Sequence, residues 1–323
     1  MSFHLARTVQ VIDSHTAGHP TRTILGGLPP LAGETVREKR DHFKKEFDHL
    51  RPTLLHEPRG HAAMVAAIIT GSRIADVGAF FISSYVYLDM CGHGTIGLAK
   101  TLVTTGQIDL EKRPSFTLET PAGVIAIDLS TTDGELEAVS LLNVPAYVEH
   151  PSVTVELPEE KPIELAIAYS GCRYALVDAD RLGWTITPDG TTSMCVRGAA
   201  IKTVLHDQHG LAADSILFYQ DLEPGRSRHL VVLESNKFDR SPCGTGSSAR
   251  LALLVAEGRL QEEASLIAEG VLGTSFRLQV EKIASGEGRQ TVTARITGQA
   301  YITAFSTLVI EAGDPLAAGF LCR

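Results

Sequence analysis

The chain has 323 residues, 44% of them hydrophobic, and its 29 lysines and arginines against 38 aspartates and glutamates leave a net charge of −9. That length and apolar content fit two compact units better than one. An acidic chain with no Lys/Arg-rich run lacks the charge footprint of a nucleic-acid binder, and no apolar stretch reaches the roughly 18 residues of a membrane span. Five cysteines thinly spread over the chain argue for a reducing compartment rather than a disulfide framework. The first seven residues carry no long apolar run, so the mature protein is expected to start here and to be cytoplasmic.

In chain order, β-branched, aromatic or alternating segments predict strands at 8–13, 77–83, 115–118 and 124–129, with a charged amphipathic helix over 35–50. The same mixture recurs later, with strands at 163–168, 174–178, 215–220, 229–233 and 290–296 and a helix over 196–207. This is an α+β pattern used twice. Pro145, Pro151, Pro158 and Pro162 cluster with Glu156, Glu159, Glu160 and Lys161, which places the join within 147–162. The expected domains are 1–150 and 151–307, with 308–323 returning to the first and an active site in the cleft between them.

A local repeat is more telling. Cys91-Gly92-His93-Gly94 and Cys243-Gly244-Thr245-Gly246 each open an apolar helical segment that ends at a glycine, Gly106 or Gly258, fifteen residues after the cysteine. A glycine there suits the left-handed position that closes a helix. Each half therefore presents a cysteine at the start of one buried helix.

A helix N-terminus favours negative charge and is expected to lower the pKa of a thiol placed there. The adjacent glycines let backbone N–H groups approach an anion such as a carboxylate. Two such motifs facing each other would set one thiol on either side of a bound α-carbon, as stereoinversion requires. A lone cysteine is more often a small buried hydrophobe, and it is the duplication that favours chemistry. Cys195 and Cys322 are read as structural. Cys172, in a Gly-Cys-Arg loop, is open between a structural role and lining the cleft. His93 occupies the first cap where the second has Thr245. Asp239, four residues before Cys243, is placed either to pair with a substrate ammonium or to cap a turn. No third and fourth ligands join Cys91 and His93 at metal spacing, so no metal is expected. A carboxylate-binding protein without catalysis would need the glycine caps but not two thiols.

The segments Asp13-Ser-His-Thr-Ala-Gly-His-Pro-Thr-Arg22, His56-Glu-Pro-Arg-Gly-His61, Met90-Cys-Gly-His-Gly-Thr-Ile-Gly97 and Asp239-Arg-Ser-Pro-Cys-Gly-Thr-Gly246 resemble, in order, those of the proline racemase family. That family includes 4-hydroxyproline 2-epimerases and trans-3-hydroxyproline dehydratases. The resemblance implies two pseudo-symmetric domains, each a curved sheet or barrel around a central helix, as in diaminopimelate epimerase. It implies Cys91 and Cys243 as the acid/base pair, with Gly92, His93, Asp239, Gly244 and Thr245 binding an imino acid substrate, and no metal, pyridoxal phosphate or nicotinamide. The expected reaction is epimerisation of trans-4-hydroxy-L-proline to cis-4-hydroxy-D-proline. Proline racemisation and trans-3-hydroxy-L-proline dehydration are the alternatives. His19 stands where many relatives have Glu, and Cys172-Arg173-Tyr174 departs from their pocket-wall sequence. The dehydratase branch usually has Thr in place of the second cysteine, so Cys243 favours the epimerase. Whether the chain acts alone or as a homodimer stays open.

Overall fold

The computed structural model describes residues 5–158, 160–234, 237–286 and 288–322; Met1 to His4, at the expected chain start, and Glu159, in the expected join, lie outside them. The chain divides into two units, one formed by Met1–Leu141 with Gln299–Arg323 and the other by Leu142–Gly298. Both divisions fall earlier than the expected 150 and 307. The reason is strand pairing: the segment read as a join contains a strand of the second unit, and a strand just after Gly298 pairs with the first strand of the chain.

The first unit contains β1 (Leu5–Thr16), β2 (His19–Gly26), α1 (Val36–Glu46), α2 (Leu50–Leu55), β3 (Val65–Thr70), β4 (Val77–Ser83), β5 (Tyr87–Leu88), α3 (Gly92–Thr104), β6 (Ser115–Thr120), β7 (Gly123–Thr132), β8 (Glu135–Leu142) and, from the far end of the chain, β18 (Ala300–Glu311). Its strands lie in the order β18-β1-β2-β3-β4-β6-β7-β8. The β2–β3 and β4–β6 pairs are parallel and the others antiparallel, while β5 also pairs with β4. A capping box between Thr35 and Glu38 starts α1, and the expected single helix over 35–50 divides because Phe47 leaves helical geometry.

The second unit contains β9 (Tyr147–Val155), β10 (Ile163–Tyr169), β11 (Arg173–Asp178), α4 (Thr191–His209), β12 (Ser215–Glu223), β13 (Arg226–Glu234), β14 (Lys237–Asp239), α5 (Gly244–Ala256), β15 (Ser265–Gly270), β16 (Ser275–Gly286) and β17 (Arg289–Gly298). Its order, β9-β10-β11-β12-β13-β15-β16-β17, repeats the parallel and antiparallel sequence of the first unit pair for pair. The expected α+β fold of two pseudo-symmetric domains is what the chain adopts.

In each unit one helix is nearly free of charge and is buried on almost every side. α3 packs on β1, β2, β3 and β18; α5 packs on β9, β10, β11, β16 and β17. A helix that is apolar all round belongs inside. The second sheet is covered on both faces. Leu165, Ile167, Ala175, Val177, Ile216 and Phe218 pack in one core with Met194 and Ile201 of α4, whereas their alternating neighbours Ala166, Ala168, Tyr174, Leu176, Leu217 and Tyr219 pack with Ala249 and Leu253 of α5. Arg250 of α5 is fully buried, held by Asp221 and lying over the Tyr219 ring. Among the described residues no helix is long and apolar enough to cross a membrane.

Candidate active site

The repeated motif lies where its sequence suggested, at the start of the two central helices. Cys91 is the N-cap of α3 and Cys243 the N-cap of α5; Gly106 and Gly258 follow the helix ends with φ of 69° and 71°, the left-handed stop. The glycines serve different ends. Around Gly92 there is open space, which fits an approaching ligand. A Cβ at Gly94 would come within 3.0 Å of the Cys91 sulfur and of Phe81. One at Gly246 would meet Leu217 at 3.0 Å and the Tyr174 ring at 3.2 Å, and one at Gly244 would meet Ile296 at 3.0 Å. These three are glycine because the first turn is packed against side chains.

In the first unit, Cys91 is buried in an extended conformation, with its sulfur 3.4 Å from Nδ1 and 3.8 Å from Nε2 of His93. His93 is fixed twice: the Thr16 hydroxyl donates to its carbonyl at 2.8 Å, and its ring meets that of buried His19 edge-on at 4.4 Å between centroids. His19, singled out in the sequence only as a departure from relatives, therefore touches the group beside the thiol.

In the second unit, Cys243 has φ 62° and ψ 107°, a backbone region that non-glycine residues rarely adopt. A chain of hydrogen bonds holds it there. Asp239 Oδ1 accepts from the Ser241 N–H and hydroxyl, both at 2.8 Å, and the Ser241 oxygen accepts from the Cys243 N–H at 3.1 Å. Asp239 thus braces the turn that aims the cysteine. The sulfur accepts from the Gly246 N–H at 3.5 Å and lies 3.6 Å from both the Tyr174 hydroxyl and the Thr245 hydroxyl, which are 2.6 Å from each other.

The expectation that the helix N-terminus lowers both thiols is corrected at Cys243. Burial pushes this thiol up to about 12, helped by the Asp239 charge; the Tyr174, Gly246 and Thr245 donors pull the other way without prevailing. Desolvation exceeds what a helix end offers to a sulfur that water barely reaches. At neutral pH Cys243 is a thiol.

Tyr174 is the functional neighbour that sequence reasoning noted only as pocket wall. It lies on β11, its hydroxyl is buried, and its side chain also interacts with that of Cys172. The loop before it turns through Gly171, at φ 106°, with the Ser170 hydroxyl donating to the Thr245 carbonyl at 2.7 Å. Cys195 is in the interior of α4, inside the apolar core, and Cys322 is exposed. Among the described residues no three His, Cys, Asp or Glu side chains are grouped to hold a metal ion.

The match to known proteins spans the chain. The proline racemase family model covers residues 11–321. A proline racemase of Clostridioides difficile is 34% identical over 98% of this chain and 99% of its own length. A 4-hydroxyproline 2-epimerase of Streptosporangium roseum is 36% identical over 98% of each. The crystal structure of a hydroxyproline epimerase from Agrobacterium vitis, with bound trans-4-hydroxy-L-proline, superposes with a TM-score of 0.87 at 27% identity, covering 99% of this chain and 96% of that one. With both cysteine caps, both central helices and nearly every strand inside the matched span, the chain belongs to the proline racemase family of isomerases, the racemases and epimerases.

Proposed function

We infer that the chain inverts C2 of a proline-type imino acid without metal or coenzyme, converting trans-4-hydroxy-L-proline to cis-4-hydroxy-D-proline. One observation carries the reading: two units of the same strand order each place a cysteine at the N-cap of the central helix. The ligand bound in the Agrobacterium vitis relative supports the choice of substrate.

In this mechanism the two thiols act on opposite faces of one α-carbon. In the direction where Cys243 donates, Cys91 as thiolate takes the Cα proton, and His93, 3.4 Å from its sulfur, offers a partner for that thiol's proton. The electron pair left on carbon is delocalised into the carboxylate. That group is held by the first-turn N–H groups of Gly92, His93, Gly244 and Thr245, since the first amides of a helix have no partner within it. Cys243 then delivers its proton to the opposite face and becomes the thiolate. Proton exchange with water after product release restores the starting state.

Dehydration of trans-3-hydroxy-L-proline needs a thiol on one face only. The chain of bonds from Asp239 through Ser241 that holds Cys243 in a strained conformation counts against that alternative, because a spectator would not need it. The test is incubation in D₂O with L-proline, trans-4-hydroxy-L-proline and trans-3-hydroxy-L-proline in turn, read by NMR and chiral chromatography. Cα-deuterated epimer from the 4-hydroxy substrate is the expected product. Reaction of the 3-hydroxy substrate alone, giving a ketimine and no inverted amino acid, overturns the assignment.

A further inference from the structure

We propose that Tyr174 is a positioning residue for the second thiol: its hydroxyl, paired with that of Thr245, holds the hydroxyl donors against the Cys243 sulfur when that sulfur is a thiolate. The proposal deepens the two-thiol reading and rests on it for its catalytic meaning.

The geometry is a triangle. The two hydroxyls are 2.6 Å apart and each is 3.6 Å from Sγ. Two hydroxyls carry two protons, and their mutual bond uses one. Either hydroxyl can donate in that bond, and the Tyr174 hydroxyl acts in two ways: it can itself donate to the sulfur, and it anchors the Thr245 hydroxyl within reach of it. Together with the Gly246 N–H at 3.5 Å, the thiolate formed after Cys243 protonates carbon has two donors in a site that excludes water. No proton leaves Tyr174, whose own acidity burial suppresses strongly, so it stabilises the thiolate by hydrogen bonding and not by transfer.

The surroundings fit that task. The tyrosine ring lies against the bare first turn at Gly246, where a Cβ would be 3.2 Å from Cε1, beside Leu217 at 3.0 Å and Val231 at 3.1 Å. Cys172 flanks the hydroxyl, and the Ser170 hydroxyl fixes the Thr245 carbonyl. Facing Cys243 are Asp239 from the preceding turn, whose charge opposes the thiolate, and Tyr174 from β11, with Cys172 beside it. The hydroxyl pair offsets a penalty that burial and Asp239 impose. Cys91 has a histidine instead, so removing Tyr174 should be felt at one thiol and not at the other.

The experiment is Tyr174→Phe, which keeps the ring, deletes one hydroxyl and leaves that of Thr245 without its anchor. Iodoacetamide alkylation of Cys243 and Cys91 is followed separately by peptide mass spectrometry across pH, beside steady-state kinetics in both directions. Expected at Cys243 is a rate at least about tenfold slower at a given pH, because one pKa unit is tenfold in thiolate fraction, with Cys91 unchanged. Turnover should fall about tenfold or more in both directions while KM moves by less than about threefold. An unchanged Cys243 alkylation profile overturns the proposal, and so does an equal slowing at both cysteines. Should Tyr174→Phe not fold, 3-fluorotyrosine incorporated at position 174 makes the hydroxyl a stronger donor with nearly the same shape, and Cys243 alkylation should then speed up; no change there also overturns it. Alkylation needs no turnover, so a chain that epimerises nothing yet shows the Cys243 effect refutes the two-thiol function and leaves the positioning role standing.

Discussion

Cys91 and Cys243 occupy the same topological place, yet their settings differ in backbone and in partners. Cys91 has ordinary extended backbone, makes no side-chain cap bond and sits beside an imidazole. Cys243 has a strained backbone, takes a cap bond from Gly246 and lies between two hydroxyls, with a carboxylate raising its pKa. The duplicated helix start is the symmetry on which the proposed two-faced proton transfer rests. Burial and the Asp239 charge raise the Cys243 thiol, and its hydroxyl and N–H partners pull it back.

The strongest way to break the comparison is to remove each thiol. Cys91→Ser and Cys243→Ser should each lower turnover by about 10²–10⁴-fold while melting like the parent, since a serine hydroxyl of the same size is far too weak an acid or base. Near-normal epimerisation by either variant would refute the two-thiol mechanism.

A finer cut separates the two thiols by charge. Asp239 raises the Cys243 thiol, so Asp239→Asn, which keeps the Oδ1 acceptor for Ser241, should lower it. More thiolate at a given pH means faster alkylation of Cys243, by about tenfold at pH 8, with Cys91 moving much less. Slower alkylation of Cys243 would show that the turn, and not the charge, is what Asp239 supplies.

The smallest expected effect lies beneath the second helix. His229 is fully buried between the Ser247 and Ser227 hydroxyls, at 2.8 and 3.2 Å, and burial, aided by nearby Arg250, pushes it down to about 3 from 6.5. Matching Gly78↔Glu119 with Arg228↔Glu269 puts Ala79 at the equivalent place in the first unit. The depressed group stays neutral in the folded state while the unfolded chain takes up a proton below 6.5. Its stabilisation is therefore complete above that pH and is lost as pH falls toward 3, by on the order of 1 kcal/mol per unit. Urea unfolding of His229→Asn between pH 7 and 4 should show a correspondingly flatter dependence; an unchanged slope would mean that other groups carry the acid lability.

Much of the fold was legible because its signals are local. The strand at Val77–Ser83 matches its reading residue for residue, and the two central helices follow from a cysteine cap, apolar filling and a glycine stop. What was missed has several causes. β9 was read as a join because it holds Pro151 and runs into a stretch rich in proline and glutamate; it has β10 on one side and a largely exposed surface, where proline costs no ladder bond. β2 was hidden behind a turn at Ala17 and Gly18, both at positive φ, and behind the motif it carries. β3, β5, β8, β14, β15, β16 and β18 were not read, and β18 pairs with β1 from the opposite end of the chain, a contact no local window reveals.

The sequence by itself determined the duplicated cysteine caps, the α+β class and the membership of the family, since each is written in short runs of residues whose spacing is independent of what packs on them. Only the tertiary structure decided the state of the second thiol. Tyr174 is 69 residues from Cys243 in the chain and reaches it because β11 lies against α5. The burial that reverses the expected effect of the helix end comes from the same packing. A helix N-terminus is a property of a few residues, whereas desolvation depends on every atom that excludes water, and that sum exists only once the chain has folded.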